Sequence, residues 1–327
     1  MEVKGRSGGT KAVLQYFCCQ RQWLCCALLM IHLAIWLTVS RAQEIQTPED
    51  QKVLDAWHKL SDKEAIIVGA RNLAALGFAV HNYADVHDGR TPPVAVPNPN
   101  VPFEKRLSGL VLLLPYIGQR PRYVSDEDWP LHRQRYGVDQ AVVKQIQRVH
   151  KKIDLKKAWD DPANEEAARE VLPIFLVPKS APMRDHYGYA VSHFALVRGF
   201  GGVDNGGFDE QGVALSDVVD GTVDTIGFGQ IRTQLGPWLA AGSSTSRYVY
   251  FRPDEPRFPT LAGPWGQGYL VGLLDASPAF LVTETIPEAE LRRFVGRADR
   301  EPVERAFLYR PLDEQDLEQL MKHLREP

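Results

Sequence analysis

Cysteine is scarce in this chain of 327 residues and is confined to its beginning. All of it falls within or beside one N-terminal apolar run, at Cys18, Cys19, Cys25 and Cys26. The remainder of the chain therefore has neither a disulfide nor a thiol nucleophile. Within the apolar run we interpret the cysteines as small residues that are compatible with a membrane.

Signatures of the common enzymes are also missing. The sequence has no G-x-S-x-G elbow and no HExxH pair. A glycine-rich segment at residues 199–207 lacks the following Lys-Ser/Thr that a phosphate-binding loop requires. Neighbouring acids such as Asp126 and Asp128 are ordinary on an acidic surface. We therefore predict no catalytic residues, no cofactor and a non-enzymatic protein.

Outside the N-terminus the chain has no excess of positive over negative charge. The whole chain has a formal net charge of −3, although residues 1–42 hold five basic residues and one acid. The rest of the chain is therefore more acidic than the whole, and nucleic-acid binding requires the opposite sign of charge. We predict that nucleic acid is not a partner.

Residues 1–42 form a predicted export segment. Four basic residues precede an apolar run of 17 residues at 23–39. This length is at the lower limit for a membrane helix and slightly long for a signal-peptide core. Small residues at Ser40 and Ala42 permit cleavage before Gln43. A cleaved signal peptide and a signal anchor that keeps 23–39 in the membrane both stay open. Either one exports the rest to the periplasm or cell surface, because the basic flank stays inside.

Residues 43–90 form a predicted N-terminal helical region. Thr47 is placed as the N-cap of a first helix. Ser61 and Glu64 form a capping box that starts a second helix, which reaches His87.

One face of the second helix is apolar. Leu73, Leu76, Val80 and Tyr83 recur at three- and four-residue steps, which aligns them on one side of a helix. We predict that Leu76 and Val80 point into the main core. If this face is exposed instead, it favours a role in assembly.

Residues 91–327 form the predicted globular head. A proline-rich connection at 91–102 is followed by an apolar segment at 107–117 and a helix over 138–153. Short apolar runs separated by Gly, Asp and Pro then predict strands. These runs are YAVSHFALV, TIGFGQI, RYVYF, GYLVGLL and AFLVTET. The sequence therefore predicts an α+β fold, with a long N-terminal helix packed on an antiparallel β-sheet and extra short helices.

Local signals place three elements near the end of the chain. Turn residues at 275–278 predict a hairpin over residues 268–284. Pro287 and Asp313 are placed to start helices over 287–296 and 313–325.

Five blocks of the sequence occur in the same order in one bacterial family. They are RNLAALGFAVHNYADVHDGRTPP, LSGLVLLLPYIGQ, AWDDPANEEAAREVLPIFLVPKS, LSDVVDGTVDTIGFGQ with GPWLAAG, and LLDASPAFL. Over about residues 71–296 the chain resembles the family catalogued as domain of unknown function 1559, also filed as a solute-binding family. Its members resemble type II secretion pseudopilins, with a prepilin leader, an N-terminal helix and a β-rich head. The resemblance implies an exported α+β protein with no established enzyme activity.

Two parts of the chain depart from the pattern of that family. The leader is atypical, because it has neither a GFTLIEL-type peptidase site nor a glutamate in its apolar run. Residues 119–152 are a predicted insertion.

Carboxylates near one turn are candidate calcium ligands. Asp217, Asp220 and Asp224 lie within eight residues, and hard cations favour such oxygen clusters. The alternative is an ordinary turn that leads into a strand. We expect no bound metal, because the spacing is not that of an EF-hand loop.

A second possible metal site lies at the end of the apolar helix. His81 and Asp85 are four residues apart and share a helical face, with His87 nearby. Hydrogen bonding or packing at the end of the helix is the alternative for these three side chains.

Tryptophans supply the candidate ligand-binding residues. Trp238 and Trp265 lie in segments flanked by Pro or Gly, where they could form a sugar-stacking surface or anchor the core. A pocket that they share with Tyr269 and Arg232 would favour binding.

Two hypotheses of function follow. The first is a pseudopilin-like structural or assembly protein, and the alternative is an extracytoplasmic solute- or glycan-binding module. The expected partners are the membrane, through the N-terminal segment, and either a protein or a solute.

Overall fold

The computed structural model describes residues 47–180, 182–250, 261, 263–265, 268–282 and 286–324. The predicted export segment and its cleavage site lie outside these residues. Within the described ranges, no helix has both the length and the apolar character needed to cross a membrane.

The N-terminal helical region consists of two helices. Helix α1 spans Pro48–His58 and helix α2 spans Asp62–Ala84. Residues 59–61 separate them, and Ser61 caps α2. Its Oγ accepts from the Glu64 N–H at 3.2 Å, and its own N–H donates to the Glu64 carboxylate at 2.7 Å. The predicted capping box is confirmed. Helix α2 ends before the predicted His87.

In the residues that the structure describes, six strands form one sheet. They are β1 (Phe194–Phe200), β2 (Ile226–Gln230), β3 (Ser246–Val249), β4 (Gly268–Leu273), β5 (Pro278–Val282) and β6 (Leu308–Tyr309). In the described part of the chain their order is β3-β1-β2-β4-β5-β6. The predicted α+β fold is confirmed, and the sheet is mostly antiparallel.

One pair of strands departs from the predicted antiparallel sheet. Strand β3 pairs with β1 in parallel, whereas the other neighbouring strands pair antiparallel. Strand β2 already occupies one side of β1, so β3 adds to the other side. Because β2 runs opposite to β1 and the chain reverses again before β3, β3 runs in the same direction as β1.

The predicted hairpin is confirmed. Strands β4 and β5 pair antiparallel, with Tyr269 opposite Leu281 and Val271 opposite Ala279. In the turn, Ala276 has a φ of 69°, which is the left-handed region that tight turns require.

Helix α2 contacts the sheet. Leu73, Leu76 and Val80 have at most 1% of their surface exposed. His81 of the same helix is hydrogen-bonded through Nε2 to the Leu274 carbonyl, after β4, at 2.8 Å. The prediction that Leu76 and Val80 enter the core is confirmed, and the chain itself covers this apolar face.

Six shorter α-helices lie in the described residues, together with several single-turn 3-10 helices. The α-helices are α3 (Leu110–Leu113), α4 (Trp129–Tyr136), α5 (Gln140–His150), α6 (Glu165–Arg169), α7 (Glu288–Val295) and α8 (Glu314–His323). The predicted helices near the C-terminus are confirmed by α7 and α8, and the predicted helix over 138–153 by α5. A second apolar cluster, which contains Val271 and Phe294, lies where α7 meets the sheet.

Candidate functional site

Trp238 does not reach the surface. Its side chain is fully buried, its Nε1 donates to the Glu170 carbonyl at 3.1 Å, and its ring lies 5.4 Å from that of Phe175. The hypothesis that Trp238 contributes to a sugar-stacking surface is therefore wrong. This side chain anchors the core, because the surrounding apolar side chains and the carbonyl satisfy both parts of the indole.

The other residues of the predicted pocket are not brought together with it. Trp265 is partly buried and packs on Phe280, with the ring centroids 5.7 Å apart. Tyr269 is buried in a different apolar cluster from the one that Trp265 packs against. Arg232 is exposed. These four residues form no common pocket in the described structure.

The acidic turn has structural partners. The two carboxylate oxygens of Asp220 accept from the backbone N–H groups of Asp299 and Arg300, at 2.9 and 2.6 Å. Asp224 accepts from Arg305 at 2.7 Å, and Asp217 is exposed. Among the described residues, no group of three His, Cys, Asp or Glu side chains is arranged to hold a metal ion.

The histidines at the end of α2 also have local partners. His81 bonds to a backbone carbonyl of the β4–β5 turn. His87 stacks on Tyr83 at a centroid distance of 3.7 Å and bonds through Nδ1 to its carbonyl at 2.7 Å. These contacts match the alternative interpretation as hydrogen bonding and packing at the end of the helix.

A concave site lies beside strand β3. We call it the β3 pocket; its volume is about 300 Å³. Its lining combines three aromatic rings, two arginines and several uncharged polar residues. The lining residues are Phe103, Arg198, Thr233, Gln234, Gly242, Ser243, Ser246, Arg247, Tyr248 and Tyr250.

Long-range pairing brings Phe103 to this site. Shortly after Phe103 the chain forms a bridge between Leu107 and Ala240. The backbone of Ala241 donates to the carbonyl of Arg106 at 3.0 Å. These bonds hold the turn that contains Phe103 against the segment that leads to Gly242.

The loop before β3 is a tight turn. The carbonyl of Gly242 accepts from the N–H groups of Thr245 and Ser246, at 3.1 and 2.8 Å. The Thr245 hydroxyl also donates to the Ala240 carbonyl at 2.7 Å. Gly242 has a φ of 119°, which L-residues rarely adopt. Hydrogen bonds to backbone carbonyls therefore hold this wall of the β3 pocket in one conformation.

Buried Arg247 connects two sides of the β3 pocket. Its Nε donates to the Ser243 carbonyl at 2.7 Å, and its Nη2 donates to the carbonyls of Thr233 and Gln234. Burial lowers the pKa of this guanidinium to about 10, so it is still charged at neutral pH. A planar guanidinium with donors in fixed directions suits this role, because it holds several carbonyls at once.

Arg198 and Tyr248 form one wall of the β3 pocket, and Asp204 connects them. Arg198 makes a bidentate pair with Asp204 at 2.8 and 3.0 Å, and it also contacts Glu210. Its guanidinium carbon lies 4.8 Å from the centroid of the Tyr248 ring, and the Tyr248 hydroxyl donates to Asp204 at 2.9 Å. Burial disfavours the Asp204 anion, but the bonds from Arg198 and Tyr248 outweigh it and hold the pKa of Asp204 below its usual value.

Tyr250 forms the exposed rim. Its ring lies 6.5 Å from that of Tyr248 at an angle of 63°, and 40% of its surface is exposed. The exposed ring of Tyr250 allows a flat ligand to stack at the rim, and the neighbouring hydroxyl and amide groups allow it to be hydrogen-bonded.

Sequence reasoning missed the β3 pocket. Its residues come from three separate segments, at 103, 198 and 233–250. One signal was present: Tyr248 and Tyr250 alternate in the predicted strand RYVYF, and alternate residues of a strand project to the same side.

The chain matches no protein-family model, no curated protein and no solved structure.

Proposed function

We propose that this protein is an exported, non-enzymatic binding protein that takes a polar solute or the end of a glycan in the β3 pocket. The observation that carries the proposal is the combination of aromatic rings with hydrogen-bonding groups in a concave site with ordered walls. Arg247 supplies the order, because it ties Ser243 to Thr233 and Gln234 across the site.

The proposed location rests on the N-terminal segment. A basic flank followed by the apolar run at 23–39 is the pattern of an export signal or anchor. Intact-mass measurement of the membrane and soluble fractions tests it: a mature chain that begins at Gln43 indicates cleavage, and a full-length chain in the membrane fraction indicates an anchor. Full-length protein in the cytoplasm would contradict export.

A relationship to the domain of unknown function 1559 family, and through it to pseudopilin heads, stays a proposal. It is supported by the order of the sequence blocks and by the contact of α2 with β4. Assembly through the apolar face of α2 has less support, since Leu73, Leu76 and Val80 are covered by the chain itself.

Binding can be tested with a solute panel of sugars, amino acids and small organic acids. We expect at least one compound to bind the wild-type protein and to lose at least tenfold in affinity with Tyr250→Ala. The matched control is Tyr187→Ala, which removes an exposed tyrosine that does not line the β3 pocket. If no compound binds in a way that depends on Tyr250, the proposed function is wrong.

A further inference from the structure

We infer that the ligand of the β3 pocket is a neutral sugar ring, either a free hexose or the terminal unit of a glycan. The inference rests on the proposed function and goes further, because it commits to one chemical class. Four properties of the site support a neutral sugar as the ligand: its aromatic faces, the identity of its polar groups, its charges and its size.

The aromatic faces match the apolar face of a sugar. A hexose presents C–H groups on one face and hydroxyls around its edge. The face of an aromatic ring carries the negative part of its quadrupole, which attracts the slightly positive C–H hydrogens. Arg198 lies over one face of the Tyr248 ring and Asp204 accepts from its hydroxyl, so the orientation of this ring is fixed before a ligand arrives. Preorganisation of this kind lowers the entropy lost on binding.

The uncharged polar groups match the hydroxyls of a sugar. Thr233, Gln234, Ser243 and Ser246 line the pocket. Hydroxyl and amide side chains both donate and accept hydrogen bonds, as sugar hydroxyls do. The Ser246 hydroxyl donates to the Gly242 carbonyl at 3.2 Å, which leaves its oxygen able to accept from a ligand.

The charges of the β3 pocket do not favour an anion. Arg198 faces two carboxylates, Asp204 and Glu210, so its positive charge is more than offset within the chain. Arg247 is buried and directs donors at three backbone carbonyls. Recognition of phosphate or carboxylate uses arginine forks aimed at the ligand, and the described bonds of both arginines are made within the protein.

The size of the pocket favours one ring. A volume of about 300 Å³ is at the lower end of the range for ligand sites. The exposed Tyr250 at the rim leaves an opening. A terminal sugar can therefore enter while the rest of a glycan stays in solvent.

The test uses the full-length chain in a detergent without a sugar headgroup. The probes are glucose, galactose, mannose and N-acetylglucosamine, with glucuronate and glucose 6-phosphate as charged analogues. Calorimetric titration, with saturation-transfer NMR for weak binders, gives the affinities. We expect at least one neutral sugar to bind, with at least a tenfold preference over the charged analogues.

Two variants separate stacking from hydrogen bonding. We expect Tyr250→Ala to weaken binding of the neutral sugar at least tenfold and Tyr250→Phe, which keeps the ring, to weaken it less than threefold. Tyr187→Ala should leave binding unchanged. Circular dichroism of each variant verifies that it is folded. If Tyr250→Ala is not folded, Tyr250→Phe still tests whether sugar binding survives without the hydroxyl.

The outcomes distinguish the two proposals. If glucuronate, glucose 6-phosphate or an amino acid binds more tightly than every neutral sugar, and its binding depends on Tyr250, the sugar inference is wrong and the proposed function stands. If a neutral sugar binds equally well to wild type and to Tyr250→Ala, the assignment to the β3 pocket is wrong. If no probe from either panel binds, both proposals are wrong.

Discussion

A Cβ atom added to Gly77 would lie 2.5 Å from the Cα of Ala276 and 2.7 Å from its Cβ. Helix α2 therefore meets the backbone of the β4–β5 turn at a position that only glycine permits. Ala276 itself has a φ of 69°, so the turn cannot relax easily to make room.

We expect Gly77→Ala to lower the free energy of unfolding by about 1–3 kcal/mol, because overpacking exceeds the gain of about 1 kcal/mol in helix propensity. Gly69→Ala is the matched control: its added Cβ meets the Leu270 Cδ1 at 2.5 Å, which belongs to the end of a side chain and not to the backbone. Urea unfolding compares them. Equal stability of the two variants would contradict the contact between Gly77 and the turn.

Leu76 is fully buried, and its truncation would leave a cavity beneath the sheet. We expect Leu76→Ala to lower the free energy of unfolding by about 2–5 kcal/mol. Val86→Ala, which alters a residue with 56% of its surface exposed, should change it by less than about 0.5 kcal/mol. A stable, monomeric Leu76→Ala protein that has lost a partner would instead restore the assembly hypothesis.

Asp50 connects α1 to the head. Its carboxylate accepts from Arg184 Nε at 2.6 Å, and the side chains are only 4% and 10% exposed. We expect Asp50→Asn to reduce stability on the order of 3 kcal/mol, because the buried guanidinium loses its counter-charge. Hydrogen exchange should show the largest loss of protection in α1.

The control for this ion pair is Asp55→Asn on the same helix. Asp55 is exposed and accepts only from Gln51, at 2.8 Å, in the described structure. Its replacement should have almost no effect. Similar exchange rates of α1 in both variants would show that the Asp50 pair does not hold this helix.

Because His193 is buried, we expect the stability of the protein to fall in acid. Its Nδ1 accepts from the Val177 N–H at 3.0 Å and its Nε2 bonds to the Pro182 carbonyl at 2.9 Å. Burial lowers its pKa from 6.5 to about 4. Between these values the unfolded chain binds the proton and the folded chain does not, so stability falls as the pH drops through this window.

The full effect of His193 is roughly 3 kcal/mol between pH 6.5 and pH 4. We expect urea midpoints to decrease with acidification and to decrease less in His193→Gln. NMR titration of the His193 ring in the wild type gives its pKa directly. A value near 6.5 would contradict the mechanism whether or not the variant folds.

We expect chelation to leave the melting temperature unchanged. Asp220 is bonded to two backbone N–H groups and Asp224 to Arg305, so both carboxylates have roles in the protein. Differential scanning calorimetry with and without a chelator measures this. A drop of several degrees that calcium reverses, and that Asp220→Asn abolishes, would identify a calcium site.

The sequence by itself determined the elements whose causes are local. The capping box at Ser61, the hairpin turn at Ala276 and the N-cap at Asp313 each depend on residues within a few positions. Periodicity likewise identified Leu76 and Val80 as core residues, because a helix fixes which side chains share a face. Such interactions need no information about distant parts of the chain.

Only the tertiary structure decided the direction of β3, the burial of Trp238 and the residues of the β3 pocket. Each depends on pairing between distant segments, such as the bridge from Leu107 to Ala240. A tryptophan beside Pro and Gly has the same local pattern whether it is buried or exposed. What surrounds it is set by the elements that pack there, and long-range contacts of this kind leave no periodic signal in the sequence.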